Sequence, residues 1–119
     1  MTINGTITEK VRFWVESDTL KFLDNGLGRL SFDLAGGTFA WTCREALVWH
    51  EIRSAFRWQG REYHTGLYER HEVIGEPKEL SDAFGCGLQV GIRHEKPGLP
   101  IVEQYFSLYE QQPFFLIRV

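Results

Sequence analysis

The chain has 119 residues, of which 43% are hydrophobic, 24% charged and 14% aromatic. That is enough chain to bury a core without disulfides or metals, and no apolar run approaches the ~20 residues of a membrane-spanning helix. The formal net charge is −3 with no basic run or stripe, which argues against nucleic acid as a partner.

The first residues lack the basic segment and apolar stretch of a secretory signal, so a cytoplasmic location is expected. Asn4-Gly5-Thr6 matches a glycosylation acceptor, which without export is a chance match. Residues 3–7 and 11–15 are predicted as two short strands, and residues 20–23 form another apolar run. Asp24-Asn25-Gly26 is a turn signal. Residues 27–34 then alternate, with Leu30, Phe32 and Leu34 on one face. Ala35-Gly36-Gly37 reverses the chain, and residues 38–43 continue with Phe39 and Trp41 on one face. Residues 25–41 therefore form a predicted β-hairpin.

Residues 44–60 fit two templates. Val48, Ile52 and Phe56 have helical spacing, whereas Val48, His50, Ile52, Ser54, Phe56 and Trp58 alternate as a strand would. The bulk of Trp49, Ile52, Phe56 and Trp58 favours the strand. Gln59-Gly60-Arg61 is a turn. Residues 62–81 are polar and weakly periodic, so one short strand and a long exposed loop are expected there.

The carboxyl-terminal third is the most regular stretch. Residues 87–94 alternate Leu88, Val90 and Ile92 against Gln89, Gly91 and Arg93. In residues 101–109, Val102, Gln104, Phe106 and Leu108 share one face, and residues 114–119 form a last strand. Pro97, Pro100, Pro113 and Gly98 separate the runs. The fold class is therefore all-β: an antiparallel β-sandwich over residues 1–119, whole or as part of a larger supersandwich.

No motif spells out a reaction. His-Glu occurs at His50, His71 and His94, but a zinc-protease helix needs a second histidine four places on, where Ser54, Gly75 and Gly98 stand. No metal site or cofactor is expected. Gly85-Cys86-Gly87 starts like a phosphate loop, but it leads into a strand, and its third glycine position holds Val90. Cys86 is expected as a small residue in a turn, and Cys43 and Cys86 as free thiols in a reducing compartment. Sequence spacing assigns no catalytic carboxylate pair. The remaining signal is aromatic. Trp49, Trp58, Tyr63 and Tyr68 flank or occupy the polar region, with Arg61, His64 and Glu69 as polar neighbours. Flat rings beside such groups suit a sugar, and Trp49, Trp58, Tyr63 and His64 are the candidate carbohydrate-binding residues. The same composition suits a protein interface.

Several stretches together resemble the amino-terminal β-sandwich domain of α-galactosidases of the raffinose-processing type. They are Asn25-Gly26-Leu27, Leu30-Ser31-Phe32-Asp33-Leu34, Gly37-Thr38-Phe39 and Ala83-Phe84-Gly85-Cys86-Gly87. Leu99-Pro100-Ile101-Val102-Glu103-Gln104-Tyr105-Phe106, Leu108-Tyr109-Glu110 and Pro113-Phe114-Phe115-Leu116-Ile117 complete the set. The resemblance implies a galactose-mutarotase-like supersandwich that normally precedes a catalytic (β/α)₈ barrel. The barrel carries that family's catalytic carboxylates, so the resemblance transfers no catalytic residue to this chain. It implies a non-catalytic domain that supports a barrel or contacts carbohydrate. Strands missing from a shortened sandwich would leave open edges, from which a homo-oligomer is expected. Two other functions fit the composition. One is a free-standing sandwich or barrel binding a small ligand in an aromatic-lined cavity. The other is a mutarotase-like epimerase using His64, His71 or His94 with Glu72 or Asp82.

Overall fold

The computed structural model describes residues 5–7, 10–44 and 46–119. The start of the first expected strand, and Asn4 of the glycosylation triplet, lie outside them. Six strands form one antiparallel meander: β1 (Gly5–Ile7), β2 (Arg12–Val15), β3 (Leu20–Asp24), β4 (Gly28–Asp33), β5 (Thr38–Cys43) and β6 (Ala46–Ile52). A two-stranded hairpin follows, β7 (Ala55–Trp58) and β8 (Arg61–His64), and then a single 3₁₀ turn, Thr65–Leu67. The second large sheet contains β9 (Arg70–Val73), β10 (Lys78–Asp82), β11 (Gly85–Glu95), β12 (Val102–Tyr109) and β13 (Phe115–Arg118). In it β9 and β10 share one edge of the long β11, β9 on its carboxyl-terminal half and β10 on its amino-terminal half. On the other side β12 pairs β11, and β13 pairs β12.

The two large sheets face each other across rings contributed by both. Phe106 of β12 meets Phe32 of β4 at 4.9 Å and Phe39 of β5 at 4.8 Å between ring centroids. Phe115 of β13 lies 4.9 Å from Trp41 of β5. Leu23, Leu30, Leu88, Val90 and Leu108 fill the space around them and are fully buried. Period-2 alternation produces this arrangement, because every second side chain of each strand points inward. The inward sets Leu30/Phe32, Phe39/Trp41, Leu88/Val90/Ile92 and Phe106/Leu108 are the predicted ones. The all-β antiparallel architecture is therefore as expected.

One polar residue ties the sheets together at their far end. Asn25 is buried in the β3–β4 turn, where its Oδ1 accepts from the backbone N–H groups of Leu27 (2.9 Å) and Gly28 (2.8 Å). Its Nδ2 donates to the carbonyls of Tyr109 and Gln112 in the β12–β13 connection, at 2.7 Å each.

Three expectations change. Residues 62–81 contain three strands and a 3₁₀ turn instead of one strand and a loop. The pairing to β11 that orders β9 and β10 is long-range, and the inward positions of β9 include the polar His71, so no apolar period marks it. The strand favoured for residues 44–60 is two strands in different sheets, β6 and β7, broken at Arg53-Ser54. Register shifts interrupt the β5–β6 pairing, and Glu51 takes a φ of 52°, as at a β-bulge. Cys86 is not in a turn. It is an exposed residue of β11, opposite Ser81 of β10.

Candidate functional site

Hairpin β7–β8 forms a sheet of its own. Trp58 pairs with Arg61 and leaves a two-residue connection, Gln59 (φ 51°) and Gly60 (φ 77°). Two positive φ values in succession match the twist of the flanking strands and make the turn tight. Phe56 pairs with Tyr63, so Phe56, Trp58, Arg61 and Tyr63 share one face of the hairpin. The Phe56 and Tyr63 rings stack at 5.7 Å with 25° between planes, and Trp58 lies 6.2 Å from Tyr63 at 59°. These rings are half-buried, and Arg61 beside them is exposed. The opposite face carries Ala55, Arg57, Glu62 and His64.

The root of the hairpin is fastened to the second large sheet by a chain of buried polar groups. Thr65 N–H donates to the Ser54 carbonyl at 3.0 Å, which extends the hairpin ladder by one rung. Ser54 Oγ accepts from Gln104 Nε2 at 2.8 Å. Gln104 Oε1 faces His94 Nε2, and His94 Nδ1 lies 2.7 Å from His71 Nδ1. With the Gln104 amide turned to Ser54, its oxygen is left to accept the His94 Nε2 proton. His94 Nδ1 is then bare and accepts from His71 Nδ1–H. His94 and Gln104 are each only 2% exposed. Burial pushes His94 below the ordinary histidine value, opposed by its bond to Gln104 and reinforced by His71. Burial also lowers His71, opposed by the Tyr68 carbonyl and by the Asp33 charge. Burial thus favours the neutral form of both imidazoles.

Around this chain the packing is close. A side chain on Gly37, whose φ is 73°, would run into the His71 ring and the Thr65 carbonyl, so the β4–β5 turn needs glycine there. Beside His94 and Gln104 a cavity of about 10 Å³ remains, lined also by Phe32, Phe39, Ile92 and Phe106. That is room for about one water molecule and no more. His64 Nδ1 and Thr65 Oγ1 are buried without a hydrogen-bond partner among the described residues.

The four candidate sugar-binding residues are thus dispersed. Trp58 and Tyr63 are brought together on the hairpin face. His64 is on the same hairpin but on its other side, with its ring 3.1 Å from where a Cβ on Gly66 would stand. Trp49 belongs to β6 in the six-stranded sheet, opposite Trp41, and is 56% exposed. Tyr68, grouped with the exposed rings in the sequence, is 4% exposed and donates its hydroxyl to the Pro100 carbonyl. Phe56 joins it to the hairpin at 6.4 Å.

Neither carboxylate that an epimerase could use faces the His71–His94 pair. Glu72 pairs with Arg93 across β9 and β11 on the face away from His71 and His94. Asp82 accepts from the Tyr109 hydroxyl at 2.7 Å, at the Gly85 end of β11. His94 is at the other end, roughly 30 Å along the strand. Among the described residues, no group of three or more His, Cys, Asp or Glu side chains is placed to hold a metal, and no helix is long and apolar enough to cross a membrane.

Sequence reasoning missed the buried polar chain. Its signal was present in phase: His94 falls on the face of Leu88, Val90 and Ile92, and Gln104 on that of Val102, Phe106 and Leu108. A polar residue on an apolar face must find a buried partner. No protein-family model, curated protein or solved structure matches the chain.

Proposed function

We propose that this chain is a non-catalytic β-sandwich domain that contacts carbohydrate through the aromatic face of hairpin β7–β8, as an accessory to glycoside hydrolysis. The observation that carries the reading is the pairing of Trp58 and Tyr63 on one face of a hairpin that belongs to neither large sheet, with Arg61 across from Trp58. Aromatic rings offer a flat apolar surface to the C–H face of a pyranose, and a guanidinium beside them donates to its hydroxyls. The anchoring of Ser54 through Gln104 supports this use, because a platform fixed at its root loses little freedom when a ligand arrives. The order of motifs that resembles the α-galactosidase sandwich supports galactosides as the first ligands to try and a catalytic barrel as the partner domain.

A surface site is preferred to an enclosed one on packing grounds. The aromatic core is ring against ring, and the space beside it is about 10 Å³, far below the ~300 Å³ of small-molecule pockets. Of the histidines that an epimerase could use, His71 and His94 are spent on each other and on Gln104. The domain is further proposed to self-associate through the free edges of its sheets.

Isothermal titration of galactosides and glucosides into the chain tests the reading, alongside a hydrolysis assay. Weak binding that is lost in Trp58→Ala and Tyr63→Ala, with no turnover, is the expected outcome. Turnover by the chain alone would reject the non-catalytic assignment, and binding unchanged in both variants would reject the hairpin.

A further inference from the structure

The outer face of the six-stranded sheet carries a separate concavity, on the side away from the core. It is an open trough of about 480 Å³ between the β3–β4 turn and the end of β5, within the size range of small-ligand sites. Phe22, Asp24, Arg29, Ser31, Thr42 and Arg44 line it, together with turn residues 26–28.

Its charge is opposite to that of the molecule. Asp24 is buried and holds Arg29 at 2.9 Å and Arg12 at 3.8 Å. Arg44 has no acidic partner among the described residues. Two guanidiniums and one carboxylate line the trough, and Arg12 shares that carboxylate from outside the lining, which leaves a positive excess on a chain whose net charge is −3. Arg29 is also fixed in place. Its guanidinium lies 5.1 Å from the Trp14 ring and 5.2 Å from the Phe22 ring, and only its Nε is used by Asp24. Such an arginine keeps planar donors free in a set orientation. Arg44 has a φ of 51°, a left-handed conformation that residues other than glycine and asparagine rarely adopt.

We propose that this trough binds a small anionic sugar, a hexose carrying a phosphate or a carboxylate. The anion is taken by the free donors of Arg29 and Arg44, which match its oxygens in pairs. The Ser31 and Thr42 hydroxyls meet the sugar hydroxyls, and the Phe22 ring offers an apolar surface. The site is independent of hairpin β7–β8, which lies in another sheet.

Titration of the chain with glucose 6-phosphate, glucuronate, glucose and inorganic phosphate tests this, read by calorimetry and by the Trp14 indole signal. At least one of the two charged sugars is expected to bind and to shift Trp14, and which one does so identifies the anion. Raising the salt from 20 to 200 mM should weaken that binding, and Arg44→Ala should weaken it by about tenfold or more. Arg44→Gly, which also removes the backbone strain, should lose binding while keeping or raising thermal stability. Failure of both charged sugars to shift Trp14, affinity unaltered by Arg44→Gly, or inorganic phosphate or glucose shifting Trp14 at as low a concentration as the charged sugar would each overturn the proposal.

Discussion

At the scale of single residues, His71 and His94 make stability depend on pH. Both have folded values below the ordinary 6.5, chiefly from burial. The unfolded chain therefore takes up protons near pH 6.5 that the folded chain refuses until lower pH. The stabilisation is fully present above 6.5 and is lost as pH falls through that value towards the lowered folded values. The slope is at most about 1.4 kcal/mol per pH unit for each histidine. Urea denaturation is expected to show a lower midpoint at pH 5.5 than at pH 7.5, with a smaller difference in His94→Gln; equal pH dependence in the variant would contradict this. Asn25 makes a second single-residue case. Asn25→Ala removes four hydrogen bonds, two of which join the sheets. A loss of about 2–3 kcal/mol is expected from the usual worth of roughly 1 kcal/mol per bond and incomplete additivity. The same denaturation measurement reads it.

At the scale of elements, Phe106 of β12 interlocks the sheets. It is buried between Phe32 and Phe39, so Phe106→Ala should cost about 3–5 kcal/mol of unfolding free energy. Phe106 also shows which elements the sequence discloses. It repeats in phase with Val102 and Leu108, and strands β4, β5, β11 and β12 are legible for that reason. Strand β9 is not, because its inward His71 completes a polar chain with His94 of a distant strand instead of an apolar stripe. The break between β6 and β7 is hidden too. Residues 51–58 alternate without interruption between half-buried and exposed, while the backbone passes from one sheet to another at Ser54. Trp58 and Tyr63 were legible as site candidates from their residue types and the turn between them. That Trp49 and His64 stand apart from them follows from this change of sheet and from the two faces of the hairpin, neither of which a list of rings reveals.

At the scale of the whole molecule, the sheets end in open strands. β6 exposes Val48 and Trp49, and β13 exposes Leu116 and Ile117 just before Val119, which is 71% exposed. Edge strands with apolar side chains and unpaired backbone groups invite a further strand. Sedimentation at rising concentration should show a dimer or larger species; a clean monomer at high concentration would count against that association. The central claim is the assignment of carbohydrate contact to the β7–β8 face, and the four tryptophans report on it separately. Trp14 lies on the outer sheet face, Trp41 in the core, Trp49 on edge strand β6 and Trp58 on the hairpin. The indole N–H resonances of all four are to be followed while a neutral galactoside is added. A saturable shift of Trp58, with Trp14 and Trp41 unmoved, is the expected result, and a Trp58 signal that stays in place at saturating sugar would contradict the assignment.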